Sequence, residues 1–137
     1  DGAVIGWGDN AYGQLNIPPG LGGVVAVATG FRHSLALKSG GTVIGWGYNS
    51  AGQTNIPAGL SGVIAIAAGL HHSLALKSDG TVVGWGYNNY GQSNPPSSLS
   101  GAVAIAAGDF HSWRSREMGR WWGGVPTVTV RQGCREG

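Results

Sequence analysis

Three histidines, each followed by serine and each 39 residues from the next, are the side chains of this 137-residue chain best suited to chemistry. His33-Ser34, His72-Ser73 and His111-Ser112 put an imidazole beside a hydroxyl, the groups that hydrolases use as base and nucleophile. Neighbouring residues of an extended strand point to opposite faces, so no pair forms a dyad within its own segment. Equivalent histidines in successive units are also spread out, not gathered at the ~2 Å distances of metal ligands. The spacing therefore assigns His33, His72 and His111 a structural role, as hydrogen-bonded braces beneath a loop. No repeated carboxylate pair occurs, the lone Cys134 has no histidine of its own, and Gly6-Trp7-Gly8 lacks the G-x-G-x-x-G spacing ahead of a helix that a phosphate needs. The sequence thus predicts no catalytic residue, no metal site and no cofactor.

The elements that position these residues follow from the period. Gly6-Trp7-Gly8 returns as Gly45-Trp46-Gly47 and Gly84-Trp85-Gly86, and Gly13-Gln14 returns as Gly52-Gln53 and Gly91-Gln92. Each unit opens with a short apolar run (Val24–Ala28, Val63–Ala67, Val103–Ala106) that is too brief for a helix and ends at glycine. Ser34–Lys38 and its equivalents come next, then Ser39-Gly40-Gly41 or Ser78-Asp79-Gly80, then Thr42–Trp46 or Thr81–Trp85, which together read as a hairpin. Gln14–Ile17 and Gln53–Ile56 end at proline and read as an outer edge strand. The expectation is all-β, with four antiparallel strands (A to D) per unit. Such units bury their faces by radial repetition, as propeller blades do. The tryptophans of strand C (Trp7, Trp46, Trp85) should pack against the adjoining blade.

The string Val63–Asn88, with its Ala-Ala-Gly-x-x-His-Ser-Leu-Ala-Leu-Lys-Ser-Asp-Gly-Thr-Val-x-Gly-Trp-Gly core, closely resembles the repeat of the RCC1 (regulator of chromosome condensation) family over residues 1–112. The resemblance implies a propeller, most often of seven blades. The compact spacing is more similar to bacterial members, among them the secreted β-lactamase inhibitory protein II, than to the longer eukaryotic blades. About three units are visible, so an open arc of marginal stability is expected, the missing blades of a parent propeller being absent. The start at Asp1, in mid-repeat, suggests that the native N-terminus lies further upstream.

Charge separates the repeats from the C-terminal stretch. Only 10% of residues are charged, against about 25% in ordinary domains, and 27 are glycine. Up to residue 112, Arg32, Lys38 and Lys77 face four aspartates; five arginines, Arg114 to Arg135, fall after it. The body is not basic, which disfavours nucleic acid as a partner. No apolar run is long enough for a membrane span. Residues 113–137 break the pattern, yet inserting one nucleotide before the codon of Trp113 and choosing wobble bases returns a string that agrees with Leu74–Ser98 at most positions. The expectation is that 113–137 are a fourth repeat read out of frame, through a sequencing error or a real deletion, and that its arginines carry no selected role.

In a four-stranded meander the AB and CD loops share one face, and the BC turn and the DA connection share the other. The second face receives small turn residues. The first receives Phe31, Arg32, Leu70, His71, Asp109 and Phe110 from AB loops and Tyr12, Tyr48, Tyr87 and Tyr90 from CD loops, which takes in every tyrosine and phenylalanine of the chain. Rings with scattered polar groups on loops of a rigid scaffold have the composition of a protein-binding surface. The function expected is a protein–protein interaction scaffold with an unknown protein partner, and not an enzyme. The resemblance adds two alternatives: guanine-nucleotide exchange on a small GTPase, and inhibition of an enzyme. A secreted or cell-surface setting is favoured over a cytoplasmic one.

Overall fold

The computed structural model describes residues 2–97 and 101–116. Eight strands and no helix are found among them. β1 (Val24–Thr29), β2 (His33–Lys38) and β3 (Val43–Gly47) form one antiparallel sheet in chain order, and β4 (Val63–Ala68), β5 (His72–Lys77) and β6 (Val82–Gly86) form a second. β7 (Ala102–Ala107) and β8 (Ser112–Arg116) form a third sheet of two strands. The registers repeat residue for residue: Ser34 faces Trp46 as Ser73 faces Trp85, and each A strand carries an irregularity after its first residue, at Val24/Ala26, Val63/Ala65 and Ala102/Ala104.

Strands A, B and C stand where expected, within a residue or two. The fourth strand does not form. Gln14–Ile17 and Gln53–Ile56 carry tight turns instead, with Asn16 N–H on the Gly13 carbonyl and Asn55 N–H on that of Gly52. The cause is the asparagine that precedes each segment. Asn10 Oδ1 accepts from Leu15 N–H and Asn49 Oδ1 from Thr54 N–H, so side chains take donors that a ladder would have used. The first two blades are therefore three-stranded.

The sheets stack in sequence because β2 and β5 are apolar on both faces. Leu35, Ala36, Leu74, Ala75 and Leu76 are essentially inaccessible to solvent. Side chains alternate along the strand. Ser34 looks back, its hydroxyl donating to Gln14 O, while His33 looks forward to Ser73 of the next sheet. The core lies between the first two sheets, where Leu35, Leu37 and Val43 meet Val63, Ala75 and Trp85. Each large side chain buried there contributes roughly 1.5–3 kcal/mol. The three sheets do not close into a ring.

Two expectations need adjusting. Trp46 and Trp85 are buried, each with its Nε1–H on a carbonyl of the preceding unit, Gln14 O and Gln53 O, whereas Trp7 is 85% exposed. The boundary drawn at residue 112 is crossed by β8, which pairs Trp113 to Arg116 with β7 in the register of the other blades. The rest of the proposed out-of-frame segment, residues 117–137, lies outside the described residues.

Candidate functional site

Both loops of a blade are tied to one edge of it. Tyr48 N–H donates to Arg32 O, and Tyr87 N–H donates to His71 O, so each CD loop starts against the AB loop of its own blade. The turn is possible because Gly47 and Gly86 take φ of 95° and 94°, which side chains other than glycine rarely adopt. On the opposite side, Val24 N–H bonds Gly2 O, Val63 N–H bonds Gly41 O and Ala102 N–H bonds Gly80 O, closing the turn side with backbone contacts. There Asp79 Oδ1 accepts from Thr81 N–H, and those hydrogen bonds hold its carboxyl below the usual aspartate range.

On the loop side the rings touch. Tyr12 meets Tyr48 edge-on at 5.3 Å, Tyr48 meets His71 at 6.0 Å, His71 meets Tyr87 at 6.5 Å, Tyr87 meets Tyr90 at 6.3 Å and Tyr90 meets Phe110 at 5.5 Å. These distances are those of favourable edge-to-face pairs. At one end the Arg32 guanidinium lies 4.0 Å from the Tyr12 ring, 4.8 Å from Phe31 and 5.7 Å from Tyr48. Eight of the ten loop residues named from the sequence thus form one continuous row across all three units. Leu70 and Asp109 sit beside it on the AB loops, the first half-buried and the second exposed. Tyr90 and Phe31 are 71% and 59% exposed, so the row offers apolar surface to solvent.

The sequence sorted these residues to one face but did not reveal that they pack on each other from blade to blade. The signal for that contact was present only at His71, where an imidazole bridges Tyr48 and Tyr87.

Beneath the loops runs a second chain of contacts that reasoning within one unit missed. Ser73 Oγ has one proton and donates it to Gln53 O at 2.8 Å. At 3.0 Å from His33 Nε2 the same oxygen must then accept, which fixes His33 as the Nε2–H tautomer. His72, Ser112 and Gln92 O repeat the arrangement at 2.9 and 2.6 Å. These histidines link one blade to the next, whereas the sequence placed them as braces beneath a loop. Nδ1 of each is buried without a partner. Burial, reinforced by the nearby imidazoles of His71 and His72, lowers the pKa of His33 to about 4. Burial and His111 lower that of His72. Both rings are neutral near pH 7, held by geometry and not poised for proton transfer. Among the described residues, no group of three or more His, Cys, Asp or Glu side chains is placed to hold a metal ion.

The sequence profile of the regulator of chromosome condensation (RCC1) repeat matches residues 24–53 and 63–92. Among solved structures the chain is similar to Prp20p from Saccharomyces cerevisiae, which is described together with its binding properties to Gsp1p and histones: 27% identity, TM-score 0.59, covering 69% of this chain and 28% of that one. It is also similar to human WBSCR16 (25% identity, TM-score 0.65, 80% of this chain and 39% of that one). A third likeness is to the ectodomain of the Physcomitrella patens receptor kinase CR4 (26% identity, TM-score 0.61, 82% and 32%). The chain spans less than half the length of each of these proteins. No curated protein sequence matches it significantly. With the profile falling on two consecutive units in the same register as the sheets, residues 24–53 and 63–92 are RCC1 repeats, and the sheets they form are blades of the β-propeller type.

Proposed function

We propose that the chain is a protein-interaction scaffold and that it holds its partner on the loop face, through the row that runs from Phe31 and Arg32 to Phe110. The observation that carries this reading is the unbroken ring-to-ring contact from Tyr12 to Phe110. Interlocked rings present a large apolar area at little entropic cost, and an arginine stacked on tyrosine adds a charge to it. Aromatic residues and arginine dominate the binding energy of protein interfaces.

A photo-cross-linking amino acid in place of Tyr90 should capture the partner in the producing cell, while the same group in place of Ser39 on the turn face should not. Replacing Phe31, His71 and Phe110 together by alanine should then weaken binding of that partner at least 100-fold and leave the circular dichroism unchanged. Capture from Ser39 alone, or intact binding by the triple variant, would overturn the assignment of this face.

The resemblance to the RCC1 repeat favours one second reading, in which the partner is a small GTPase whose nucleotide release the scaffold accelerates. A nucleotide-release assay separates the two, since a simple binding module leaves the rate unchanged. Inhibition of a β-lactamase, the third possibility, is tested by titration against that enzyme.

A further inference from the structure

Arg32 stands where the repeat is not constant. The matching positions of the second and third units hold His71 and Phe110, so the loop does not need a guanidinium in order to fold. The main chain behaves alike in the first two units: Arg32 O accepts from Tyr48 N–H at 2.8 Å, and His71 O accepts from Tyr87 N–H at 2.9 Å. What differs is the side chain. Arg32 is half-buried, and the rings of Tyr12, Phe31 and Tyr48 surround its guanidinium, all within the ~6 Å of a cation–π contact.

Among the described residues the guanidinium has no acceptor. The single ion pair found there joins Lys77 and Asp79, 3.8 Å apart on the turn side. Asp9 shares a loop with Tyr12, yet its Oδ2 accepts from Gln14 Nε2 at 2.9 Å within that loop. Lys38 and Lys77, the other cations of residues 2–97, end β2 and β5 on the side away from the AB loops. The result is one fixed positive charge, half out of water, set in an apolar row. A guanidinium donates and never accepts, and its planar fork matches the two oxygens of a carboxylate.

The structure assigns to Arg32 an acidic side chain of the partner, an Asp or Glu set among apolar residues of the segment that covers the row. This rests on the loop-face reading above and adds the chemistry that the partner must bring. A phosphate fits less well, because a doubly charged group is held by clustered cations, and Lys38 and Lys77 lie on the other side of the blades. A free anion also fits less well, since it leaves the rings of Tyr12, Phe31 and Tyr48 uncovered. Apolar neighbours of the carboxylate cover them.

The rings and the cation divide the work. Rings alone tolerate many apolar segments, whereas a fixed cation rejects those that bring Lys or Arg against it. The three rings also hold the guanidinium in place and shed part of its water before contact, so a pair formed there is stronger than one at an open surface.

Random peptides displayed on phage, fused through their C-termini so that no terminal carboxylate is free, are the probe, selected on the full chain. Enriched peptides should carry Asp or Glu beside aromatic or aliphatic residues and should lose binding to the triple alanine variant of Phe31, His71 and Phe110. One such peptide is then made with an amidated C-terminus. Arg32→Gln in the chain, or exchange of the peptide's acidic residue for its amide, should each weaken binding about tenfold or more. The two changes together should weaken it no further, the mark of a direct pair. Peptides that need the row but carry no acidic residue, or that bind the Arg32→Gln chain undiminished, would overturn the assignment and leave the loop face standing. Peptides that bind the triple variant undiminished would overturn both.

Discussion

A proton arriving on His33 would land on Nδ1, which is buried and faces no acceptor. The unfolded chain binds that proton near pH 6.5, the native one only near 4, so lowering the pH favours unfolding between those values. Stability from this residue is fully present above pH 6.5 and is lost by about pH 4, an effect on the order of 3 kcal/mol. Urea midpoints measured across that range should fall, and His33→Gln, which keeps a donor for Ser73, should flatten the fall. Gly69 is the other sensitive position. A Cβ there would overlap both the His72 ring and the Gly108 carbonyl of the next blade, and neither can give way cheaply. Gly69→Ala should cost about 1–3 kcal/mol, read from the same midpoints.

At the scale of elements, the hairpins were legible because alternation, a tight turn and glycine stops all agreed. Strand D was not, because the competing signal came from asparagines several residues earlier, at Asn10 and Asn49, acting through side-chain hydrogen bonds. β8 shows the limit from the other side. After Ser112, its residues Trp113-Arg114-Ser115-Arg116 match none of Leu74–Lys77, yet it pairs in the same register, since a ladder is made of backbone groups and the preceding strand and loop set its course. Face membership of the candidate residues could be read from the meander alone. Contact between Tyr48 and His71, or between His33 and Ser73, could not, because it depends on how one blade sits against the next. The tryptophans of strand C allow that stacking to be measured. Trp85→Ala removes a ring buried between sheets and should cost about 3–5 kcal/mol in denaturant unfolding. Trp85→Phe keeps most of the volume and leaves Gln53 O bonded to Ser73, so the loss should be nearer ~1 kcal/mol.

Over the whole molecule, each sheet is supported mainly by its neighbours, as in other repeat proteins. The middle sheet is packed on both sides. The third has two strands among the described residues, and Trp113 stands 56% exposed where Leu35 and Leu74 are buried. Protection should therefore be graded along the chain. Amides of β5 should exchange with solvent most slowly and those of β7 and β8 soonest, which native-state hydrogen exchange will read strand by strand. Uniform protection across the three sheets would show cooperation beyond nearest neighbours.

The row of rings on the loop face has a consequence for how recognition would be distributed. Because Tyr48, His71, Tyr87 and Tyr90 each lean on a neighbouring ring, their rotamers are restricted before any partner arrives, and little side-chain freedom remains to be lost on contact. The same mutual support makes the row a collective unit. Removing one ring frees its neighbours as well as deleting its own surface, so the effects of paired substitutions at His71 and Tyr87 will not sum.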